Sequence, residues 1–119
     1  MFNLGSSHHY HLYNQPTDMR KSFDSLSGLV RSALKSDPFN GHVYVFINKQ
    51  RNRIKLLHWE SGGFTLYYKR LEKGQFELPD TTKDGCNIEW SELMLIVEGI
   101  RLKNIRRNPR FSFEKERII

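Results

Sequence analysis

The chain of 119 residues has few of the features that mark secreted, membrane-spanning or disulfide-bonded proteins. It contains one cysteine, Cys86, which cannot form an internal disulfide and favours a reducing compartment. No apolar stretch approaches the roughly 18 residues that a membrane-spanning helix needs. No basic segment followed by an apolar core marks a secretory signal at the start of the chain. We therefore expect a cytoplasmic protein with no membrane partner.

Motifs for catalysis and for metal binding are also missing. The sequence has no GxxxxGK[ST] phosphate-binding loop and no Ser/His/Asp or Cys/His arrangement at a fixed spacing. A nuclease or transposase needs convergent carboxylates to hold Mg²⁺, whereas six of the 13 acidic residues fall in residues 74–100, in loop-like and helix-like sequence. His8, His9 and His11 lack the further Cys or His ligands of a zinc site. We predict that the protein is not an enzyme and needs no cofactor or metal.

Positive charge, in contrast, is abundant and unevenly distributed. The chain has 19 Lys and Arg against 13 Asp and Glu, a net charge of +6 and a pI of about 9.6. Residues 42–73 hold seven basic and two acidic residues, and residues 101–119 hold the same numbers, so each block is net +5. Between them, residues 74–100 are net −5, with one basic and six acidic residues. Such a balance favours a polyanionic partner, and nucleic acid is the partner we expect.

The periodicity of apolar residues predicts one α+β domain over residues 10–103, between a flexible N-terminus at 1–9 and a basic tail at 104–119. An antiparallel sheet of three to four strands is predicted, with one helix before it and one after it. Apolar residues that recur every three or four positions predict the first helix between Met19 and Leu34, with Thr17 or Asp18 as its N-cap. The remaining predicted segments are strands near residues 43–47, 53–59 and 64–69, short candidates at 10–13 and 75–78, and a helix over 88–100.

Eight cations are the candidates for contact with a nucleic acid backbone, because Arg and Lys side chains suit phosphate oxygens. They are Arg51, Arg53, Lys55, Lys69, Arg70, Lys73, Arg106 and Arg107. The alternative for these residues is an ordinary solvated strand end or a soluble edge strand, in which Arg70 pairs with Glu72 or Glu60.

The aromatic residues near these cations allow two interpretations. Tyr44, Phe46, Trp59 and Tyr67 could form a stacking platform for bases, or they could fill a second core face beneath a helix, which we favour. At the start of the first helix, Arg20 or Lys21 could reach a phosphate, but for these residues and Asp24 we favour a structural polar network.

Four stretches of the chain resemble motifs of one protein family. Residues 16–26 resemble its opening signature PTDMRKxFDxL, and residues 37–46 resemble DPFxGxxxVF. Residues 53–59, followed by Gly63-Phe64, resemble its R-hydrophobic-K-x-L-x-W element and glycine turn, and residues 68–76 resemble YKRLExGxF. The family is the TnpB accessory protein, encoded by the second open reading frame of IS-sixty-six type bacterial insertion sequences.

The resemblance implies a small protein that is encoded beside a separate DDE-type transposase and is needed for full transposition. We therefore predict a non-catalytic accessory factor that binds DNA through its basic strands and tail. An adaptor that docks the transposase without contacting DNA is the alternative, and binding of RNA or single strands through the aromatics is a third. The oligomeric state stays open.

Overall fold

The computed structural model describes residues 4–79 and 86–98, and its sheet has five strands where three to four are predicted. The α+β class is confirmed. Arg106, Arg107 and the rest of the predicted basic tail lie outside the described residues. The elements in chain order are β1 (Tyr10–Leu12), α1 (Phe23–Ser32), β2 (Val43–Ile47), β3 (Arg53–Glu60), β4 (Gly63–Arg70), β5 (Cys86–Ile88) and α2 (Trp90–Glu98).

The sheet is mixed, with the strand order β4-β3-β2-β1-β5. Strands β2, β3 and β4 form the predicted antiparallel meander, and Gly62, at φ 80°, supplies the positive φ of the tight turn between β3 and β4. Strand β1, however, pairs in parallel with β2, and β5 pairs antiparallel with β1. Parallel neighbours need a crossover connection, and α1 provides it. The prediction of a helix before a wholly antiparallel sheet is therefore wrong.

The two helices pack on opposite faces of the sheet. Val43, Val45 and Ile47 of β2 belong to a buried cluster with the apolar residues of α2. Tyr44 and Phe46, which point the other way, are buried with Leu26 and Val30 of α1 and Leu57 of β3. A strand that is covered on both faces is apolar at every position, which explains the sequence VYVFI.

Helix α1 begins later than the sequence predicts. Its N-cap is Ser22, whose backbone N–H donates to Ser25 Oγ at 3.0 Å, and neither Thr17 nor Asp18 caps it. The Thr17 N–H instead donates to the Ile47 carbonyl at 2.9 Å, so this residue continues along the sheet. Tertiary contacts with the sheet therefore hold residues 17–21 out of the helix.

The region after β4 also differs from the prediction. Residues 75–78 form no strand, although Phe76 is buried and its N–H donates to the Arg51 carbonyl. The start of the predicted second helix is strand β5, and α2 begins at Trp90. Glu92 Oε1 accepts a hydrogen bond from the Glu89 N–H at 3.0 Å, which satisfies one free amide at the start of α2.

Candidate nucleic-acid interface

The turn between β2 and β3 is held by the side chain of Asn48. Its Oδ1 accepts hydrogen bonds from the backbone N–H groups of Asn52 at 3.0 Å and Arg53 at 2.9 Å, and its Nδ2 donates to Asn52 Oδ1 at 2.7 Å. Arg51 adopts a left-handed backbone with φ 58° within this turn. The result is a defined turn from which Lys49 and Arg51 are exposed to solvent.

Two arginines face each other where β3 begins and β4 ends. Arg53 is directly opposite Arg70 in the register of the strand pair, so their Cβ atoms are about 5 Å apart on the same face. Arg53 Nη1 donates to the hydroxyl of Tyr68 at 3.3 Å, and Arg70 Nη2 lies 3.2 Å from Glu72 Oε2. Like charges directly opposite in a sheet are destabilising. An anion placed between the two guanidinium groups would relieve that repulsion.

Arg53 also joins two adjoining surface grooves. The larger, of about 570 Å³, lies between residues 16–20 and the turn at 48–53. The smaller, of about 350 Å³, is lined by Arg53, Tyr68, Arg70 and Glu72. Because Arg53 lines both, they form one polar path, which we call the basic groove. Its cations are Arg20, Lys49, Arg53 and Arg70.

The wall at residues 16–20 carries an ion pair. The Arg20 guanidinium donates from Nε and Nη2 to the Asp18 carboxylate, with the shortest contact at 2.7 Å. Hydrogen bonds from the Arg20 side chain and backbone hold the pKa of Asp18 at about 2. Arg20 nevertheless keeps 91% of its side chain exposed, so its remaining N–H groups face solvent.

Lys55, one of the predicted phosphate contacts, has its ammonium group inside the protein. The residue is only 5% exposed, and Nζ donates to the carbonyl oxygens of Met19 at 2.7 Å and Lys21 at 2.6 Å. We therefore assign Lys55 a structural role, because these bonds fasten residues 19–21 to β3 and so position Arg20 on the groove wall.

Lys69 is on the other face of β4 from Arg70, as the alternation of a strand requires. Its Nζ donates to the Val97 carbonyl at 2.8 Å, in the last turn of α2. A lysine in this position satisfies a free helix carbonyl and interacts favourably with the helix dipole. Lys69 is thus separated from the basic groove, and we assign it to the anchoring of α2.

The remaining predicted contacts divide by their placement. Arg53 and Arg70 lie together in the basic groove, and Arg51 and Lys73 are exposed near the same end of the sheet. Arg106 and Arg107 lie outside the described residues.

Two cations and one aromatic residue that line the groove, Arg20, Lys49 and Tyr68, are not among the eight predicted phosphate contacts. Tyr68 could have been found, since the alternation of β4 places it on the same face as Arg70. No pattern in the sequence brings Arg20 and Lys49 to the groove, because they join it through long-range contacts of two separate loops.

Within residues 4–79 and 86–98, no group of three or more His, Cys, Asp or Glu side chains is arranged to hold a metal ion. In the same part of the chain, no helix has the length and apolar character needed to cross a membrane.

Comparison with known proteins gives one family and two relatives. The family profile described as "IS66 Orf2 like protein" matches residues 8–107. The chain is 34% identical over 95 residues to the uncharacterized protein y4jC of Sinorhizobium fredii, a match that covers 80% of the chain and 81% of that protein. It is 32% identical over 84 residues to the uncharacterized protein y4hO of the same organism, with 71% and 73% covered. No solved structure matches the chain.

Proposed function

The chain belongs to the IS66 Orf2 like family and so is an accessory protein of transposition, and from this premise we propose that it binds DNA through the basic groove and takes no catalytic part. The family whose profile matches is not described as a catalytic one. The proposal assigns the chemistry of strand transfer to a separate transposase, while this protein holds the DNA of the insertion element.

The observation that carries the proposal is the cross-strand pair of Arg53 and Arg70. Two guanidinium groups on one sheet face repel each other, and the nearby carboxylate of Glu72 is exposed and pairs with Arg70. Each guanidinium is a planar fork of N–H donors that matches the oxygens of a phosphate group. A phosphodiester would therefore find two suitable donors already fixed on a rigid strand pair.

The order of the cations along the basic groove supports a polymeric ligand over a single small anion. Arg20 and Lys49 line one end of the groove and Arg70 lines the other, with Arg53 between them. Separate cations along an open path suit successive phosphates of one backbone. Such contacts position the backbone and carry no sequence information by themselves.

A specific surface favours the second candidate, an adaptor that docks the transposase. Phe39 is 44% exposed and packs edge-on against Trp59, with ring centroids 4.7 Å apart, at the end of the sheet away from Arg53. Phe64 completes this aromatic cluster, 4.9 Å from Trp59. Exposed aromatic residues are common anchors in protein interfaces.

The two candidates are separated by a fluorescence-anisotropy titration with DNA from the ends of the insertion element. The test variant is the double change Arg53→Gln and Arg70→Gln, which keeps most of each stem and removes both charges. The control is Arg31→Gln with Lys35→Asn, which removes two exposed charges elsewhere; asparagine tolerates the φ of 54° at position 35.

DNA binding through the groove predicts that the test variant weakens affinity by at least about tenfold and the control by less than about threefold. Equal losses in both variants would contradict a defined groove. No DNA binding by the unaltered protein, together with retention of purified transposase by the unaltered protein and by the Arg53→Gln, Arg70→Gln variant, would establish the adaptor instead.

A further inference from the structure

Tyr68 is the most exposed aromatic side chain beside the basic groove. It is on β4, directly opposite Lys55 of β3, and it remains 48% exposed. With Arg53, Arg70 and Glu72 it lines the smaller part of the groove.

The ring of Tyr68 is held at two points. Lys55 Nζ lies over one face of the ring, 4.7 Å from its centroid, while this ammonium is itself fixed by two backbone carbonyls. Arg53 Nη1 donates to the Tyr68 hydroxyl at 3.3 Å. A ring that is oriented before a ligand arrives loses little conformational freedom when the ligand binds.

The opposite face of this ring is turned away from Lys55. Strand β4 is at the edge of the sheet, and among the described residues no further strand pairs with it on that side. Lys55 covers one face of the ring, so the face that a ligand could reach is the other one. Tyr68 lines the smaller part of the groove together with Arg53 and Arg70.

Among the aromatic residues that the structure describes, no other one near the groove combines these properties. Tyr44 and Phe46, considered from the sequence as a stacking platform, are buried beneath α1. Trp59 packs against Phe39 and Phe64 at the far end of the hairpin. Tyr67 points to the other sheet face and packs against the α2 core.

We propose that Tyr68 stacks on the base of an unpaired DNA nucleotide whose flanking phosphates are bound by Arg53 and Arg70; this rests on the proposed DNA binding. In a duplex each base is stacked between its neighbours, so only an unpaired base offers a face to the ring. The preferred ligand is therefore single-stranded DNA, or a single-stranded segment within an insertion-element end. An aromatic flanked by cations is the usual construction of such a site.

The test compares three probes by fluorescence anisotropy: a 15-nucleotide thymidine strand, an abasic strand with the same number of phosphates, and a 15-base-pair duplex. The proteins are the unaltered chain, Tyr68→Leu, Tyr68→Phe and the matched control Phe39→Leu. The control removes an equally exposed ring far from the groove.

Stacking predicts that Tyr68→Leu weakens binding of the thymidine strand by about 5- to 150-fold and leaves duplex binding within about twofold. Tyr68→Phe retains the ring and should remain within about threefold of the unaltered protein, as should Phe39→Leu. The unaltered protein should discriminate against the abasic strand by the same factor, and Tyr68→Leu should not discriminate.

Equal binding of the thymidine and abasic strands by the unaltered protein would overturn the proposal without any substitution, so a misfolded variant cannot hide the answer. An equal loss of strand and duplex binding in Tyr68→Leu would also overturn it. The basic groove would survive either result if binding still depended on Arg53 and Arg70. Failure of the unaltered protein to bind any of the probes that carry bases would overturn both proposals.

Discussion

Replacing Lys55 by methionine is the change that best separates a structural from a DNA-binding role for the cations of β3. The substitution keeps an apolar stem of similar length and removes the ammonium group. Nζ now donates to the carbonyls of Met19 and Lys21, in an environment where only 5% of the residue is exposed. Methionine would leave both oxygens without this donor.

The size of the effect follows from these contacts. Hydrogen bonds from a charged donor contribute about 1.5–3 kcal/mol each, so the two together contribute about 3–6 kcal/mol. The interaction of the Lys55 ammonium with the Tyr68 ring contributes about 0.5–1 kcal/mol more. Burial of the apolar methionine side chain offsets about 1–2 kcal/mol of the loss. The net of these contributions predicts that Lys55→Met lowers the free energy of unfolding by about 2–6 kcal/mol.

Urea denaturation followed by far-ultraviolet circular dichroism measures this loss, with Lys49→Met as the matched control. Lys49 is exposed in the adjacent turn, so its replacement should change the free energy of unfolding by less than about 0.5 kcal/mol. If Lys55→Met were as stable as the control and weakened DNA binding, the structural assignment would be wrong. Lys55 would then be one of the phosphate contacts that its place in the sequence suggests.

Three further outcomes are expected. Glu72→Gln frees Arg70 from its ion pair and should strengthen DNA binding about two- to fivefold in an anisotropy titration; unchanged or weaker binding would count against the groove. Lys69→Met removes the donor to the Val97 carbonyl, so in urea denaturation the free energy of unfolding should fall by about 1–2 kcal/mol while duplex DNA binding stays unaltered. Weaker DNA binding by a variant of unchanged stability would contradict our assignment. Burial lowers the pKa of the imidazoles of His11, His42 and His58 below the usual 6.5, so at acidic pH the unfolded chain binds more protons than the folded chain. The free energy of unfolding should therefore fall as the pH drops below about 6.5, and a rise over that range would refute this prediction.

Local patterns were sufficient to predict the centre of the fold. Alternation and the glycine turn after Glu60 identify the meander of β2, β3 and β4, and the apolar spacing identifies both helices. The pairing of β1 and β5 could not be predicted, since strands of three residues carry almost no periodicity and their partners are distant in the chain. The late start of α1 has the same origin, because the contacts that displace it come from β2 and β3.

The candidate site was predicted in part for similar reasons. The sequence marks Arg53 and Arg70 as strand-end cations, and the hairpin register places them opposite each other. It cannot reveal that Lys55 reaches the loop before α1 or that Lys69 reaches the end of α2, since both contacts join segments more than 25 residues apart. Of these four cations of β3 and β4, two therefore donate to backbone carbonyls of other elements and two line the basic groove.

The salt dependence of DNA binding tests the central claim most directly. Association constants for an insertion-element end would be measured between about 50 and 200 mM salt for the unaltered protein and for the double variant Arg53→Gln with Arg70→Gln. Each phosphate contact contributes about −0.9 to the slope of log K against log salt concentration on duplex DNA, so loss of two should make the slope shallower by about 1.8. A slope that is the same in both proteins would contradict the claim that these two arginines hold the DNA backbone.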